Sequence, residues 1–167
     1  DFKIFATDVD VNAIARASAG IFNSNIVSEM DNHYFEDYFI KTGDKVNISK
    51  RIREKIVFSV HNVLKDPPFI RLDLITCRNM LIYLENKVQK KIMHNFHFSL
   101  NKYGYLFLGS SESLGEIAKH FKTIETKWKM FQSISDSKSR SIPANLENNI
   151  RNIAYTKPSK PSGLTVA

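Results

Sequence analysis

The composition of this 167-residue chain is that of an ordinary globular protein, with 43% hydrophobic and 25% charged residues. No apolar stretch approaches the roughly 18 residues that span a bilayer, which argues against direct membrane insertion. A single cysteine, Cys77, excludes an internal disulfide and fits a reducing cytoplasm. The net charge of +7 suits nucleic acid or an acidic protein surface. Because no zinc-finger, Walker or RNA-binding motif is present, we favour the acidic protein and expect no nucleic acid.

The first third of the chain predicts a strand, a helix and a hairpin. A short apolar strand ends at Asp8, Asp10 is placed to cap the following helix, and Gly20 is placed to stop it. The turn signal at 41–45 then predicts an inserted β hairpin over about 36–58, which leads into a strand at about 56–60. The hairpin is basic, with two acidic residues, Asp44 and Glu54, against Lys41, Lys45, Lys50, Arg51, Arg53 and Lys55.

The rest of the chain alternates strands with one long helix. The Pro67-Pro68 connector precedes a strand at about 72–77, and helical spacing of apolar residues predicts a helix over 85–100. Further strands are predicted at 105–108 and around 123–124 and 128–131. Beyond about residue 135, Ser, Asn, Lys and Pro dominate, which predicts a linker or disordered tail over 135–167 after a domain over 1–134.

Two polar residues follow predicted strands in the first half of the chain. An acidic group such as Asp8 at a strand end often accepts hydrogen bonds from the ribose hydroxyls of an adenosine. It can equally cap the following helix, and spacing alone does not separate these interpretations. The amide of Asn62 can both donate and accept, which suits an adenine edge, although an asparagine in a turn is the commoner case.

The strand ending at Cys77 leads into a second group of candidate residues. Arg78 could anchor a carboxylate bidentately or form a structural ion pair. Cys77 has no nearby histidine as a base, so we favour packing over a nucleophile. Taken alone, Tyr83 fits a packed aromatic with an exposed hydroxyl. His94 and His97 lack a third metal ligand and are predicted to lie on the surface.

Six segments between Ile4 and Gln132 carry a recognisable pattern, namely 5–10, 17–20, 62–64, 73–83, 104–112 and 129–131. In this order and spacing they resemble the chemotaxis-receptor glutamate methyltransferases of the CheR type. These enzymes transfer a methyl group from S-adenosylmethionine to a receptor glutamate. The Ser111-Glu112-Ser113 run and the many phenylalanines most resemble variants in large proteins that join methylesterase, methyltransferase and PAS modules.

The resemblance implies an α/β fold, an incomplete Rossmann-like S-adenosylmethionine-dependent methyltransferase sheet with an inserted antiparallel β hairpin. The family's first strand and helix would be absent from this chain. Tyr83 would lie beside the methylsulfonium and help to place the substrate carboxylate. The resemblance also implies that Asp8 contacts the ribose of the cofactor and that Asn62 and Val63 contact its adenine. Cys77 and Arg78 would line the cofactor cleft.

The implied activity is S-adenosylmethionine-dependent protein-glutamate O-methylation of chemotaxis-type receptors. The expected partners are an acidic cytoplasmic region of a receptor and other domains of the parent chain. The family's Gly-rich cofactor loop and N-terminal helical domain would lie upstream of Asp1, so we expect the 167 residues alone to be inactive. Only Gly43 stands where receptor-docking relatives have several glycines, which argues against docking by strand addition.

A non-catalytic module that binds an acidic partner through the basic hairpin is the alternative. The presence of four residue types that the resemblance places in the cofactor and substrate sites favours the enzyme. These are Asp8, Asn62, Arg78 and Tyr83.

Overall fold

A computed structural model describes residues 1–135 of the chain, which divide into two compact units. The first unit is Asp1–Asn62 and the second begins at Val63. From residue 136 onward, the predicted linker or tail lies outside the described residues. Each unit is described by itself below.

The first unit contains a parallel strand pair joined to a helix. Strand β1 (Ile4–Asp8) pairs in parallel with β5 (Ile56–Val60), with Asp8 opposite Val60. Helix α1 (Val11–Ala19) begins at Asp10, whose carboxylate accepts the backbone N–H of Asn12 at 2.8 Å. It ends at Gly20, which adopts the left-handed conformation at φ 65°. Both predicted helix limits are confirmed, and the carboxyl ends of β1 and β5 share one edge.

Between α1 and β5 lies an antiparallel sheet in the order β2–β4–β3. The predicted insertion is present, but a third strand, β2, precedes the predicted start. A short helix, α3, also occupies a stretch that we expected to be extended, because Ile48, Ile52 and Ile56 fit helical spacing as well as alternation. The elements are β2 (Ile21–Asn23), a 3-10 turn (Ser24–Glu29), α2 (Asn32–Tyr38), β3 (Phe39–Thr42), β4 (Lys45–Ile48) and α3 (Lys50–Arg53).

The second unit is a four-stranded mixed sheet in the order β6–β7–β9–β8. Strands β6 and β7 run parallel, β7–β9 and β9–β8 antiparallel, and α4 makes the crossover between β6 and β7. Within residues 1–135, no helix is long and apolar enough to cross a membrane. The elements are β6 (Leu72–Cys77), α4 (Asn86–Ser99), β7 (Leu100–Leu108), β8 (Phe121–Glu125) and β9 (Met130–Ser133).

The core of the second unit lies between α4 and this sheet. Helix α4 contributes three buried apolar residues, and β7 contributes Leu106 and Leu108, both 0% exposed. The α4 residues recur at the 3–4-residue spacing from which the helix was predicted, and 3-10 turns at 81–83 and 115–120 close the edges of the core. The three from α4 are Ile92, Met93 and Phe96.

The two helical histidines have different environments. His94 is exposed, as predicted, whereas the prediction of a surface position is wrong for His97, which is 7% exposed. The ring of His97 stacks on that of His120 at 4.5 Å between centroids, and its Nε2 lies 2.9 Å from Oγ of Ser135. No group of His, Cys, Asp and Glu side chains suited to a metal occurs among residues 1–135.

Candidate functional site

In the first unit, Asp8 and Asn62 lie at the carboxyl edge of the parallel pair. The backbone carbonyl of Asp8 accepts the N–H of His61 at 2.9 Å, and its Oδ1 accepts the N–H of Asp10 at 2.9 Å. Asp8 itself is exposed. Since the helix cap is Asp10, the capping interpretation does not apply to Asp8. Its carboxylate instead stands at the strand edge where α/β proteins bind ligands.

In the second unit, helix α4 anchors the segment at Val63 and Leu64. Nδ2 of Asn95 donates to the carbonyl of Val63 at 3.2 Å, and Nζ of Lys91 donates to the carbonyl of Leu64 at 3.2 Å. The side chain of Val63 packs against the core. Two polar residues one turn apart on α4 therefore fix the backbone that was predicted to contact adenine.

Cys77, the last residue of β6, belongs to the hydrophobic core. Its side chain is 8% exposed. Burial, followed by the negative charge of Glu112, raises the pKa of the thiol to about 12. The thiol is therefore neutral at physiological pH, in agreement with our rejection of a cysteine nucleophile. Its predicted place at the cofactor would have to involve the backbone, because the side chain faces the core.

The raised pKa of Cys77 predicts a loss of stability at alkaline pH. The contribution of the neutral Cys77 thiol to stability is complete below pH 9.0, the pKa of the thiol in the unfolded state. It is lost as the pH rises toward about 12, because the unfolded state releases its thiol proton first. We expect the free energy of unfolding of the wild type to fall more steeply over this range than that of Cys77→Ala. Urea unfolding of both proteins measures the difference, and parallel pH curves would contradict it.

Arg78 follows β6 and is held by an aromatic ring. Its guanidinium carbon lies 4.6 Å from the ring centroid of Phe107, on the neighbouring strand β7. The ion pairs found within residues 1–135 do not include Arg78, so the structural ion pair of the sequence analysis is not seen there. Stacking restricts the exposed guanidinium while its N–H groups remain suited to an anion.

Tyr83 is 82% exposed, at the end of the 3-10 turn Leu81–Tyr83. The packed aromatic expected from the residue alone is therefore not found. The turn backbone, in contrast, is firmly held, because Leu81 is 2% exposed and its N–H donates to Oε1 of Glu112 at 2.8 Å. Nε2 of Gln89 donates to the carbonyls of Leu81 at 3.0 Å and Leu84 at 2.9 Å.

Glu112 organises this part of the structure, and the sequence analysis gave it no such role. It is 5% exposed, and its second oxygen, Oε2, accepts the N–H of Gly109 at 2.6 Å. A Cβ on Gly109 would lie 2.5 Å from Oδ1 of Asn79 and 2.8 Å from Oε2 of Glu112. A glycine followed three residues later by an acidic residue, directly after a buried strand, was the available signal.

These features define an α/β protein with polar side chains at the carboxyl ends of parallel strands, the usual place for ligands in such folds. Residues 1–130 match the family described as "CheR methyltransferase, SAM binding domain". The chain belongs to this family. The match confirms the predicted family, methyltransferase fold class and cofactor, S-adenosylmethionine.

Relatives include chemotaxis enzymes and one much larger protein. The chain is 30% identical to chemotaxis protein methyltransferase 2 of Vibrio cholerae, covering 83% of this chain and 51% of that protein. It is 32% identical to a probable chemotaxis protein methyltransferase of Rhizobium etli, covering 72% and 47%. An uncharacterized 104.1 kDa protein of Rhodobacter capsulatus is 39% identical, covering 79% and 14%. The chain thus spans about half or less of these relatives.

Among solved structures, the chain is similar to the N-methyltransferase NodS from Bradyrhizobium japonicum WM9. The TM-score is 0.46 at 14% identity, with 80% of this chain and 74% of that chain covered.

Proposed function

We propose that the protein containing this domain is an S-adenosylmethionine-dependent protein-glutamate O-methyltransferase that acts on chemotaxis-type receptors. The observation that carries the proposal is an exposed Asp8 carboxylate at the parallel strand edge that Asn62 also follows, in a chain matched to the family over residues 1–130. The names of the Vibrio and Rhizobium relatives support the substrate class. The domain limit near residue 134 and a cytoplasmic location are parts of the proposal.

The residues of the first unit fit the adenosine part of the cofactor. A ribose presents two hydroxyl donors, and the exposed carboxylate of Asp8 is an acceptor at the end of β1. The amide of Asn62 follows β5 at the same edge and suits the mixed donors and acceptors of adenine. Within the second unit, the backbone of Val63 is tethered by Asn95, and a contact of Val63 with adenine stays a separate prediction.

The bound cofactor would supply a methyl group activated by a sulfonium. A glutamate carboxylate is already a nucleophile, so the protein needs no strong base and must mainly position the substrate and exclude water. We propose that the exposed hydroxyl of Tyr83 donates a hydrogen bond to the substrate carboxylate. Arg78, stacked on Phe107, offers fixed N–H donors for a carboxylate anion.

Asp8→Ala in the full-length protein should weaken cofactor binding by about 1–3 kcal/mol, because charge-assisted bonds to the ribose are lost. Asp10→Ala is the matched control, two residues away. It removes the N-cap of α1 and should cost about 1 kcal/mol of stability without changing cofactor affinity. Calorimetry with the demethylated cofactor and thermal unfolding separate the effects. Unchanged affinity in Asp8→Ala would assign Asp8 to the local turn alone.

The acidic receptor region would bind exposed cations of the insertion, namely Lys41, Lys50 and Arg51. Arg53 is excluded from this face because its Nε donates to the carbonyl of Ser18 at 2.8 Å and its guanidinium carbon lies 4.7 Å from the ring centroid of Phe58. A surface hollow of about 480 Å³ adjoins Arg51 and adds apolar surface for a partner. Its other lining residues are Phe2, Tyr38, Phe39, Ile48, Ile52 and Lys55.

A further inference from the structure

The turn that carries Tyr83 is held from two sides by side chains distant in sequence. On one side, the carboxylate of Glu112 accepts the N–H of Leu81. On the other, the amide of Gln89 on α4 donates to the carbonyls of Leu81 and Leu84. Donor and acceptor of the same residue, Leu81, are thus both fixed by side chains, within the second unit.

The Glu112 contact also links the ends of the two parallel strands. Its two oxygens accept one N–H from the segment after β6, at Leu81, and one from Gly109, directly after β7. Burying a carboxylate is costly unless its oxygens are hydrogen-bonded, and backbone N–H donors to an ionised carboxylate make strong bonds. This arrangement fixes one conformation of the strand-end segments.

We propose that Glu112 and Gln89 are positioning residues that fix the backbone of the turn at Leu81–Leu84 and thereby direct the side chain of Tyr83. The inference rests on the proposed function, in which the hydroxyl of Tyr83 contacts the substrate carboxylate. A ring that is 82% exposed receives little orientation from packing. Its placement must therefore come from the backbone to which it is attached.

Two nearly isosteric variants perturb opposite sides of the turn. Glu112→Gln places an amide N–H₂ against at least one of two backbone donors, at Leu81 and Gly109. Gln89→Glu replaces the donating N–H₂ by an oxygen that faces the carbonyls of Leu81 and Leu84. Neither variant changes Tyr83 or shortens a side chain.

Matched controls come from the same residue types elsewhere in the second unit. Glu116 lies four residues after Glu112, is exposed, and forms an ion pair with Lys90, so Glu116→Gln removes an exposed charge. Gln132→Glu removes the donor that bonds the carbonyl of Tyr103 at 3.1 Å and the hydroxyl of Tyr105 at 3.2 Å. The second control costs one hydrogen bond to a backbone carbonyl, at Tyr103, away from the turn, while the hydroxyl of Tyr105 can donate to the new carboxylate.

The experiment measures steady-state methylation of a receptor cytoplasmic fragment by the full-length protein and its four variants. Amide hydrogen exchange of peptides covering residues 79–84 reports on the turn. Glu112→Gln and Gln89→Glu should lower turnover about tenfold, since small misplacement of a positioning group has large kinetic effects. The Michaelis constant for the receptor should stay within about twofold, exchange in 79–84 should accelerate, and both controls should match the wild type.

The inference would be overturned if Glu112→Gln and Gln89→Glu kept turnover within about twofold of wild type although their amide hydrogen exchange in residues 79–84 was faster. The inference would also be overturned if Gln132→Glu and Gln89→Glu had the same melting temperature and lost turnover equally. The loss would then follow from lowered stability and not from the position of the turn. If Glu112→Gln fails to fold, Gln89→Glu, at a half-buried site, decides the matter by the same criteria. A wild-type protein that transfers no methyl group would instead refute the proposed function, and this inference with it.

Discussion

Replacing Leu106 by Ala should destabilise the protein by about 2–5 kcal/mol, the largest stability effect that we expect of a single side chain. Leu106 is 0% exposed on β7, where it pairs with Ile75 of β6 and Phe131 of β9. Truncation leaves a cavity between well-packed neighbours that can close only in part. Urea unfolding of the full-length protein, followed by a probe in this domain, measures the change.

The matched control is Ile124→Ala, on the outer strand β8, where the side chain is 44% exposed. Its cost should stay below about 1 kcal/mol, because little buried area is lost. Equal costs at Leu106 and Ile124 would contradict the placement of the core between α4 and the sheet.

The second large effect is expected on catalysis. Tyr83→Phe should lower turnover by about 10–100-fold, because it removes one hydrogen bond to a charged substrate group. Stability and cofactor affinity should be nearly unchanged, because the side chain is 82% exposed and only a hydroxyl is removed. Receptor methylation at saturating cofactor, together with calorimetry, tests this expectation.

A triple variant of the three exposed cations of the insertion, here called the basic face, provides the comparison. Lys41, Lys50 and Arg51 changed together to Ala should raise the Michaelis constant for the receptor and weaken its salt dependence, while turnover is retained. Full turnover in Tyr83→Phe would exclude Tyr83 from the reaction. An unaltered Michaelis constant in the triple variant at low salt would show that the basic face is only a solvated surface.

Local signals in the sequence were sufficient for those regular elements whose pattern is set by neighbouring residues. Asp10 and Gly20 define α1 because capping depends on neighbouring residues, and the apolar spacing of α4 is set by one helix packing on one sheet. Strand β2 was missed because three residues, Ile21–Asn23, give too little pattern and owe their pairing to the distant β4. The burial of His97 was missed for the same reason, since its neighbour His120 is far along the chain.

The candidate site was predictable where its residues follow directly from the limits of predicted strands. Residues at strand ends, such as Asp8, Asn62 and Arg78, follow from strand limits, and the structure brings Asp8 and Asn62 to one edge. Their roles remain proposals. The local signal at Gly109 and Glu112 does not point to the Tyr83 turn, because Glu112 contacts Leu81 across 31 residues.

The most direct test of the central claim is methyl transfer with labelled cofactor. The full-length protein is incubated with methyl-labelled S-adenosylmethionine and a receptor cytoplasmic fragment, and the labelled product is treated with mild alkali. A glutamate methyl ester releases its label as methanol, whereas methylated nitrogen retains it. We predict alkali-labile label on receptor glutamates that is lost when they are changed to alanine. Receptor binding without transfer, or alkali-stable label, would contradict the account.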